Sequence, residues 1–266
     1  MNYYSLISSM NKTSVIDYAQ LFITAGSITN TTHQNAIIQL VADLKTYGLL
    51  TKMKAVYPFV GGTANAHKLN LLDARDENTA YRLSFSGDVT HSSNGMVLGG
   101  INGYANTWLN DNVFALKDLH ISIYSKTNEV LERYEVGATG SVANTGTAIG
   151  LKAAFSEFYA YMQGTTQYAN INNTNTTGFY IANRKTNDEI VLNKNGTEIF
   201  RSPKATVGTS NYPYFIGTVN QSGTPYTLYS GKTLAGVTIG YGLTATESSN
   251  LYTAFQTFNT TLGRPY

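Results

Sequence analysis

The sequence predicts an all-β domain, either a two-sheet sandwich or a closed antiparallel barrel. Residues 53–242 read almost entirely as short strands rich in β-branched and aromatic residues, punctuated by Gly and Asn. Asn195-Gly196, between two such strands, is the strongest hairpin signal, because a type I′ turn needs positive φ at both central residues. Since no helical pattern interrupts the strands, a parallel sheet is disfavoured.

Nine segments carry the strand pattern, many of them with alternating polar and apolar residues. In chain order they are AVYPFV, TAYRLSFSG, HISIYSK, VLERYEVG, FSEFYAYM, GFYIANR, EIVLNKNGTEIF, PYFIGTV and AGVTIGYG.

An amphipathic helix is predicted ahead of the strands, at about residues 31–47. Thr31 or Thr32 serves as its N-cap, and Gly48 is a natural stop just beyond its end. Its apolar stripe has helical spacing and consists of Ala36, Ile37, Leu40, Val41 and Leu44.

A second amphipathic helix is predicted after the strands, at about residues 245–262. Thr244 or Thr246 caps it, Glu247 lies in its first turn, and Gly263 ends it. Its apolar stripe consists of Leu251, Tyr252, Phe255, Phe258 and Leu262.

The composition of the chain excludes several classes of binding partner and site. Only 13% of the 266 residues are charged and the net charge is +2 with no Lys/Arg cluster, so we expect no nucleic-acid partner. No stretch approaches the roughly 18 apolar residues of a transmembrane helix, and the first residues lack a signal-peptide pattern, so we expect neither membrane insertion nor secretion by that route. The absence of cysteine excludes disulfides and thiolate metal sites.

Two regions of the chain are expected to differ in role. Residues 1–20 mix apolar and polar side chains and are predicted to be an N-terminal tail that docks onto another protein. Residues 21–266, including both helices, are predicted to form one domain, since the strand pattern continues across the Gly/Thr/Asn loops within it.

The segment GGTANAHK resembles a phosphate loop only superficially. It lacks a Gly directly before Lys-Ser/Thr, and no helix is predicted after it to offer N-terminal amides. We therefore interpret Gly61-Gly62 as a turn and expect HKLNL, residues 67–71, to begin the next strand.

No metal site or cofactor is predicted. His33, His67, His91 and His120 are scattered without zinc-ligand spacing, although the fold is free to bring His67 and His91 together. Two acidic loop positions remain open as either calcium ligands or solvated turns, namely Asp111-Asn112 and Asp88 near Asn94.

No catalytic pair of carboxylates is predicted either. Some glycosidases built from β-sandwiches place their catalytic acids at alternate positions on one strand, so that both face the same cleft. Glu132 and Glu135 lie three apart, so they are expected to face opposite sides of a strand. Asp188-Glu189 reads as a turn. The sequence thus predicts a protein that is not an enzyme.

Sugar binding needs exposed aromatic faces with amides or acids nearby. The loop YANTWLNDN carries the lone Trp of the chain, and the loops SNYPYF and NQSGTPY carry Tyr side chains beside Asn. These side chains either contact a glycan or cover the sandwich rim and meet a neighbouring subunit. The candidate ligand-binding residues are Trp108, Asn110, Tyr212, Asn220 and Tyr226.

The last ninety residues have a recognisable order of motifs: GFYIANR, IVLNKNGTEIFRS, YPYFIGTVNQSG and LAGVTIGYGLTATESSNLYTAFQTF. This order resembles the concanavalin A-like or laminin-G-like jelly roll, and GMVLGGINGYANT looks like the early strand pair of that family. The resemblance implies a jelly-roll sandwich of two antiparallel sheets, with the two amphipathic helices flanking it.

Two further segments, LKTYGLLTKMKAVYPFVGGTANAHKLNLLDARD and LYTAFQTFNTTLGR, resemble a domain of bacteriophage virion proteins, especially fibre-type ones. The resemblance covers roughly residues 20–266. It implies a location in the virion as a structural protein of a tail fibre or of the capsid surface, where it serves as fibre or decoration and has other virion proteins as partners.

Three functions follow as hypotheses. The first is a non-enzymatic virion protein, a homo-oligomer and by analogy with fibres a trimer, which either adheres to a host-surface glycan during attachment or serves as a structural module. The second is a virion-associated enzyme that degrades polysaccharide. The third is a free carbohydrate-binding module. The resemblance implies a fold and a setting, not a specific ligand, because such sandwiches host many functions.

Overall fold

A computed structural model describes residues 15–129, 131–140, 142, 144–153, 157–185 and 188–266. Its four α-helices in these ranges are α1 (Val15–Ala25), α2 (Thr31–Thr46), α3 (Ala64–His67) and α4 (Ala245–Thr261). None of them is long and apolar enough to cross a membrane.

Seventeen strands make up most of the rest. They are β1 (Met53–Tyr57), β2 (Ser84–Ser86), β3 (Val89–Ser92), β4 (Gly95–Leu98), β5 (Tyr104–Asn110), β6 (Asp118–Ser125), β7 (Val136–Thr139), β8 (Gly146–Ala153), β9 (Glu157–Tyr161), β10 (Tyr168–Asn172), β11 (Gly178–Lys185), β12 (Glu189–Lys194), β13 (Thr197–Pro203), β14 (Pro213–Ile216), β15 (Val219–Gln221), β16 (Thr224–Pro225) and β17 (Thr233–Gly240).

The strands form two sheets, and the predicted jelly-roll sandwich is confirmed. The helix-side sheet has eight strands in the order β13-β12-β11-β6-β17-β4-β3, with β1 also paired to β17. The open sheet has nine strands in the order β10-β9-β8-β7-β14-β5-β2, with β15 and β16 attached beside β7. Neighbours are antiparallel, except that β15 runs parallel to β7. Both sheets keep edge strands, so the closed-barrel alternative does not hold.

Alternate residues of both sheets point inward and form the main core. Ile121 and Ile123 of β6 and Val237 and Ile239 of β17 meet residues of the open sheet such as Ile149. The same alternation predicted most of these strands, because each buries one face against the other sheet.

The helices cover the outer face of the helix-side sheet. Phe255 of α4 stacks on Phe179 of β11 with ring centroids 5.5 Å apart, and Tyr124 of β6 joins the same apolar cluster. Ile37 and Leu40 of α2 are fully buried in that cluster. The outer face of the open sheet carries no helix among the described residues, so it is the sheet face left for a ligand or partner.

Helix α1 was not predicted. Ala19, Phe22 and Ile23 are buried against α2, and a run of apolar residues this short fits a helix or a strand equally well before its packing partner is known. Residues 15–20 of the predicted docking tail belong to this helix. Residues 1–14 lie outside the described residues, and their docking role stays a prediction.

The segment after Gly61-Gly62 differs from the expectation. Residues 64–67 form the single-turn helix α3, capped by the Thr63 hydroxyl, which accepts from the Ala66 N–H at 3.2 Å. HKLNL therefore begins no strand; only an isolated bridge joins Asn70 to Asp73. Asn70 explains this, because its side-chain amide bonds the backbone of Val56 and Ala80 and holds the segment as a turn. The predicted turn at Gly61-Gly62 is present, with positive φ at both glycines.

His120 is a buried histidine whose neutral state should make the stability of the fold depend on pH. It is fully buried on β6, where Nδ1–H donates to the Tyr241 carbonyl at 2.6 Å and Nε2 accepts from the Thr238 hydroxyl at 3.0 Å. Burial lowers the pKa of His120 to about 4, so the unfolded chain binds a proton more readily between pH 4 and 6.5. We expect His120 to contribute a loss of up to about 3 kcal/mol in the free energy of unfolding as the pH falls through this window.

Urea unfolding of wild type and His120→Gln at several pH values measures this contribution. Glutamine keeps a donor and an acceptor but does not titrate, so the curve of the variant should be flatter between pH 6.5 and 4. Equal slopes for the two proteins would show that His120 is not held neutral.

Candidate functional site

The open sheet presents an unbroken row of residues on its outer face. Their neighbours in sequence, such as Ala105, Val136 and Ile149, point into the core, so this row points away from it. From edge to edge, the row consists of Ser84, Asn106, Phe215, Gly137, Ala148, Tyr161 and Tyr168.

Tyrosines gather at one end of this row and form what we call the tyrosine cluster: Tyr134, Tyr159, Tyr161, Tyr168 and Tyr226. Tyr134 is central, with ring centroids 6.4 Å from Tyr159, 6.5 Å from Tyr161 and 6.1 Å from Tyr226. These three contacts are edge-on, and Tyr159 contacts Tyr168 at 5.0 Å. Such pairs stabilise one another, so the cluster is a preorganised aromatic surface.

A cleft of about 340 Å³ opens beside the cluster. We call it the tyrosine cleft; it is lined by Tyr134, Thr139, Gly140, Asn144, Thr145, Tyr161, Thr165, Val219, Gln221 and Tyr226. Its volume lies in the range of small-molecule sites. The lining combines rings with hydroxyl and amide groups, and none of these ten side chains is charged.

Three strands and one hairpin position the tyrosines of the cleft. Tyr161 ends β9 in register with Ala148 of β8, and Tyr134 precedes β7, where its N–H donates to the Leu228 carbonyl. Tyr226 follows the β15–β16 hairpin; its N–H donates to the Val219 carbonyl at 2.8 Å, and its own carbonyl accepts from the Thr218 hydroxyl at 2.7 Å. The backbone therefore fixes each ring on a rigid element.

Close packing at the centre of the row requires a glycine at position 137. A Cβ added there would stand 2.6 Å from the Ala148 Cβ and 2.9 Å from a methyl carbon of Val219, too close for either to remain in place. Small residues at the centre of the row thus leave the tyrosines as the walls of the cleft.

The phenol groups of Tyr134, Tyr159 and Tyr161 are neutral donors. Burial, with smaller effects from Tyr226 and Glu132, raises the pKa of Tyr134 to about 12. Burial also raises the pKa values of Tyr159 and Tyr161, and neighbouring tyrosines add to the effect. No hydrogen bond joins any hydroxyl of the cluster to another described residue, which leaves these groups available to a ligand.

The five sequence-predicted residues do not line one common cavity. Tyr226 lines the tyrosine cleft, and Tyr212 lines a small neighbouring cavity. Trp108 is 39% exposed on β5, and its indole N–H donates to the Ser84 hydroxyl at 2.9 Å, away from the cleft. Asn110 ends β5 opposite Pro213.

Asn220 faces the protein interior. It is almost fully buried; its amide donates to the Pro213 carbonyl at 2.9 Å, and its amide oxygen accepts from the Gly223 N–H at 2.8 Å. Asn220 therefore fixes the hairpin that carries Gln221, and it does not line the cleft itself.

The sequence analysis missed Tyr134, Tyr161 and Gln221 as cleft residues. A signal for part of the cluster was available: in the strand EFYAY, Tyr159 and Tyr161 alternate with the core residues Phe158 and Ala160, which puts two tyrosine rings, one half-buried and one buried, on the outer face of the sheet. The convergence of Tyr134 with them required the pairing of β7, β8 and β9.

The acidic residues near β7 form an ion-pair network within the fold. Glu135 is fully buried; one of its oxygens accepts from the Leu151 N–H at 2.6 Å and the other lies 3.1 Å from the Lys232 ammonium. Glu129 is 2.9 Å from the same ammonium, whereas Glu132 is exposed. The opposite orientations that the spacing of Glu132 and Glu135 predicts are thus found.

Three of the histidine and loop-acid candidates, His67, His91 and Asp111, are engaged by protein contacts. His67 and His91 do meet, with their Nδ1 atoms 3.0 Å apart, and burial lowers the pKa of His67 to about 3. Asp111 is buried; it accepts from the Ser210 N–H at 2.7 Å and from the Tyr214 hydroxyl, and burial raises its pKa to about 6. Among the described residues, no group of three or more His, Asp or Glu side chains is placed to hold a metal ion.

No family model matches the sequence, and no curated protein is similar to it. Solved structures share the fold. The botulinum neurotoxin serotype D binding domain is 10% identical with a TM-score of 0.51, and the match covers 77% of this chain and 52% of that one. The receptor binding domain of botulinum neurotoxin C/D mosaic serotype is 13% identical with a TM-score of 0.51, covering 77% and 51%.

A third structure is domain 4 of AbnA, an extracellular arabinanase from Geobacillus stearothermophilus, in complex with arabinotriose. It is 14% identical with a TM-score of 0.49, covering 75% of this chain and 98% of that one. This chain spans about half the length of the neurotoxin domains. At these identities the neurotoxin matches show a common jelly-roll fold.

Proposed function

We propose that this protein binds carbohydrate through the tyrosine cleft and does not act on it chemically. The observation that carries the proposal is the cleft itself, where three tyrosine rings and a set of hydroxyl and amide groups line one concave surface. A sugar offers C–H groups on one face and hydroxyls around its edge, so it is matched by aromatic faces with polar groups beside them.

The placement of the cleft supports the same function. Helices bury the outer face of the helix-side sheet, whereas the outer face of the open sheet leaves Tyr134, Tyr159 and Tyr226 partly exposed. A tyrosine cluster with free hydroxyls has few ways to contribute to folding that phenylalanine would not serve as well. Its polar edges are therefore better explained by a ligand than by packing.

The fold is compatible with binding. The neurotoxin structures that share it are named as a binding domain and a receptor binding domain. Fold does not imply function, so the proposal rests on the cleft.

The lining of the cleft supports a non-enzymatic role. Glycoside hydrolysis uses two carboxyl groups on opposite sides of the bond, and none of the ten lining residues is acidic. The buried acid Glu135 is committed to Lys232 and to the backbone of β8.

As setting, we propose the surface of a bacteriophage virion, in a tail fibre or as a capsid fibre or decoration, with adhesion to host-surface glycan as its purpose. The resemblance of residues 20–266 to fibre-type virion domains supports this, and a homo-oligomer, such as a trimer, fits that setting. Identifying the neighbouring genes tests it: tail genes would indicate a fibre, head genes a decoration, and genes of neither kind would contradict it.

A glycan array tests the binding function. We expect the wild-type protein to bind a subset of glycans, and Tyr226→Ala to lose at least about tenfold in affinity, because it removes one half-buried ring from the wall. Tyr47→Ala, which removes a half-buried ring at the end of α2 on the opposite side of the sandwich, should bind as wild type does. Equal losses in both variants, or no glycan bound by the wild type, would contradict the proposal.

Incubation with host capsule or exopolysaccharide tests the non-enzymatic part. We expect no new reducing ends, because no acid pair lines the cleft. Release of reducing ends that disappeared in Glu132→Gln would instead support the polysaccharide-degrading alternative. Glu132 suits this test because it is exposed, so its substitution leaves the buried network of Glu135 intact.

A further inference from the structure

A second, smaller cavity adjoins the tyrosine cleft. It has a volume of about 80 Å³ and is lined by Gly140, Val142, Thr145, Thr209, Ser210, Asn211 and Tyr212. Tyr212 and Asn211 give it the same combination of ring and amide that the larger cleft has. Gly140 and Thr145 line both cavities, so the two hollows are separated by a single turn of chain.

Hydrogen bonds hold the two residues that line both cavities, Gly140 and Thr145. The Gly140 N–H donates to the Thr145 carbonyl at 3.1 Å, and the Thr145 hydroxyl donates to the Val142 carbonyl at 2.9 Å. Gly140 carries no side chain, and a Cβ placed on it would lie 2.5 Å from the Thr145 hydroxyl oxygen. Both cavities therefore adjoin Gly140, which contributes no side chain to either.

The charges around the cavities are unfavourable to anions. No charged side chain is among the described residues that line either cavity. Two carboxylates lie close by: the charge of Glu132 acts on Tyr134, and Asp111 accepts from the Ser210 N–H of the smaller cavity. The Lys204 ammonium lies 5.8 Å from the ring centroid of Tyr168, which lines neither cavity. An anionic ligand would lose hydration here without gaining a cation.

From this geometry we propose that the ligand is a neutral oligosaccharide of at least two sugars, with one sugar in the tyrosine cleft and the next against Tyr212. The inference rests on the proposed carbohydrate-binding function and specifies the class of ligand. One sugar ring lies between the tyrosine side chains of the cleft, and the oligosaccharide passes over Gly140. The next sugar then contacts Tyr212 and Asn211.

The test uses homologous ladders from one to five sugars of cello-, malto-, chito- and arabino-oligosaccharides, together with sialylated and sulfated glycans. For a ladder that binds, we expect affinity to rise about tenfold or more between one sugar and two or three, and then to level off. Tyr212→Ala should lose this rise while keeping the affinity for the single sugar. Charged glycans should bind no better than neutral ones.

Each contrary outcome has a distinct meaning. Equal wild-type affinity for one sugar and for longer chains, or preferential binding of charged glycans, would overturn the inference and leave carbohydrate binding in place. A Tyr212→Ala variant that loses affinity equally at every length would overturn the second subsite. No binding of any ladder or charged glycan would count against the proposed function itself. The dependence of affinity on oligosaccharide length is measured with the wild-type protein, so the test stands even if the Tyr212→Ala protein does not fold.

Discussion

Replacing Arg264 by alanine should lower the free energy of unfolding by at least about 3 kcal/mol, because it would orphan several buried carbonyl groups at once. Arg264 follows α4 near the end of the chain and is almost fully buried. Burial lowers its pKa to about 10, which leaves the guanidinium charged at neutral pH. No other side chain in the described residues joins as many separate parts of the fold.

Each of the five N–H donors of the guanidinium has its own acceptor. The acceptors come from the end of α4, the segment after β1, the β3–β4 turn and β17. They are the Asn259 side chain at 2.9 Å and the carbonyls of Phe59 at 2.8 Å, Ser93 at 2.9 Å, Pro58 at 3.0 Å and Ala235 at 3.3 Å.

Urea unfolding of Arg264→Ala and Arg264→Lys measures this role. Lysine keeps the charge but has three donors in place of a planar fork, so it should recover only part of the loss. Arg201→Ala is the matched control: Arg201 also makes several bonds, to Glu198 and Glu189, but at the exposed edge strand β13, and its loss should cost less than about 1 kcal/mol. Similar losses at Arg264 and Arg201 would contradict this account.

Replacing Lys232 by methionine should lower the free energy of unfolding by about 3–5 kcal/mol at neutral pH, since it leaves a buried carboxylate unpaired. Lys232 is fully buried between Glu129 and Glu135. Burial alone would lower the pKa of Lys232, but the two carboxylates raise it overall, so the ammonium stays charged. Burial raises the pKa of Glu135, and Lys232 opposes that rise.

The pH dependence of Lys232→Met identifies the cause. Without the ammonium, the folded-state pKa of Glu135 rises further above its unfolded value, so the folded protein binds a proton more readily and the variant should regain stability as the pH falls towards 5. Lys232→Met/Glu135→Gln should recover stability at neutral pH, because glutamine is uncharged and keeps an acceptor for the Leu151 N–H. A Lys232→Met protein that is as stable as wild type at neutral pH would contradict this explanation.

The helices show how far capping and periodicity can be predicted. Helices α2 and α4 begin and end within about a residue of their predicted bounds, because each has a polar cap, an apolar stripe and a terminal glycine with positive φ. For α4 the cap is Thr244, which forms a reciprocal capping box with Glu247. For α2 the cap is Asn30, not Thr31 or Thr32: its side chain accepts from the His33 N–H at 3.1 Å.

The hairpin at Asn195-Gly196 was equally predictable. Both residues have positive φ, 51° and 79°, as a type I′ turn requires, and β12 and β13 pair on either side of them. The bend after Gly62 was not predictable in the same way. It depends on Asn70 bonding backbone groups 10 to 16 residues away, which no local pattern encodes.

The candidate site could be predicted only in part. Tyr226 was found because an aromatic residue beside Asn in a Gly-containing loop has a local signal. Tyr134 precedes β7 and Tyr161 ends β9. These two strands are joined through β8, and the rings meet only because the register aligns Gly137, Ala148 and Tyr161. A one-residue slip would point Tyr161 into the core, so the cluster depends on pairing that the sequence does not reveal.

A crystal structure of the protein with an oligosaccharide selected on the array tests the central claim most directly. The account predicts a sugar ring in contact with Tyr134, Tyr161 or Tyr226, with its hydroxyls bonded to groups such as the Gln221 amide or the Thr139 hydroxyl. A sugar bound elsewhere, for example against the exposed Trp108 or on the helix side, would contradict the assignment of the tyrosine cleft as the binding site.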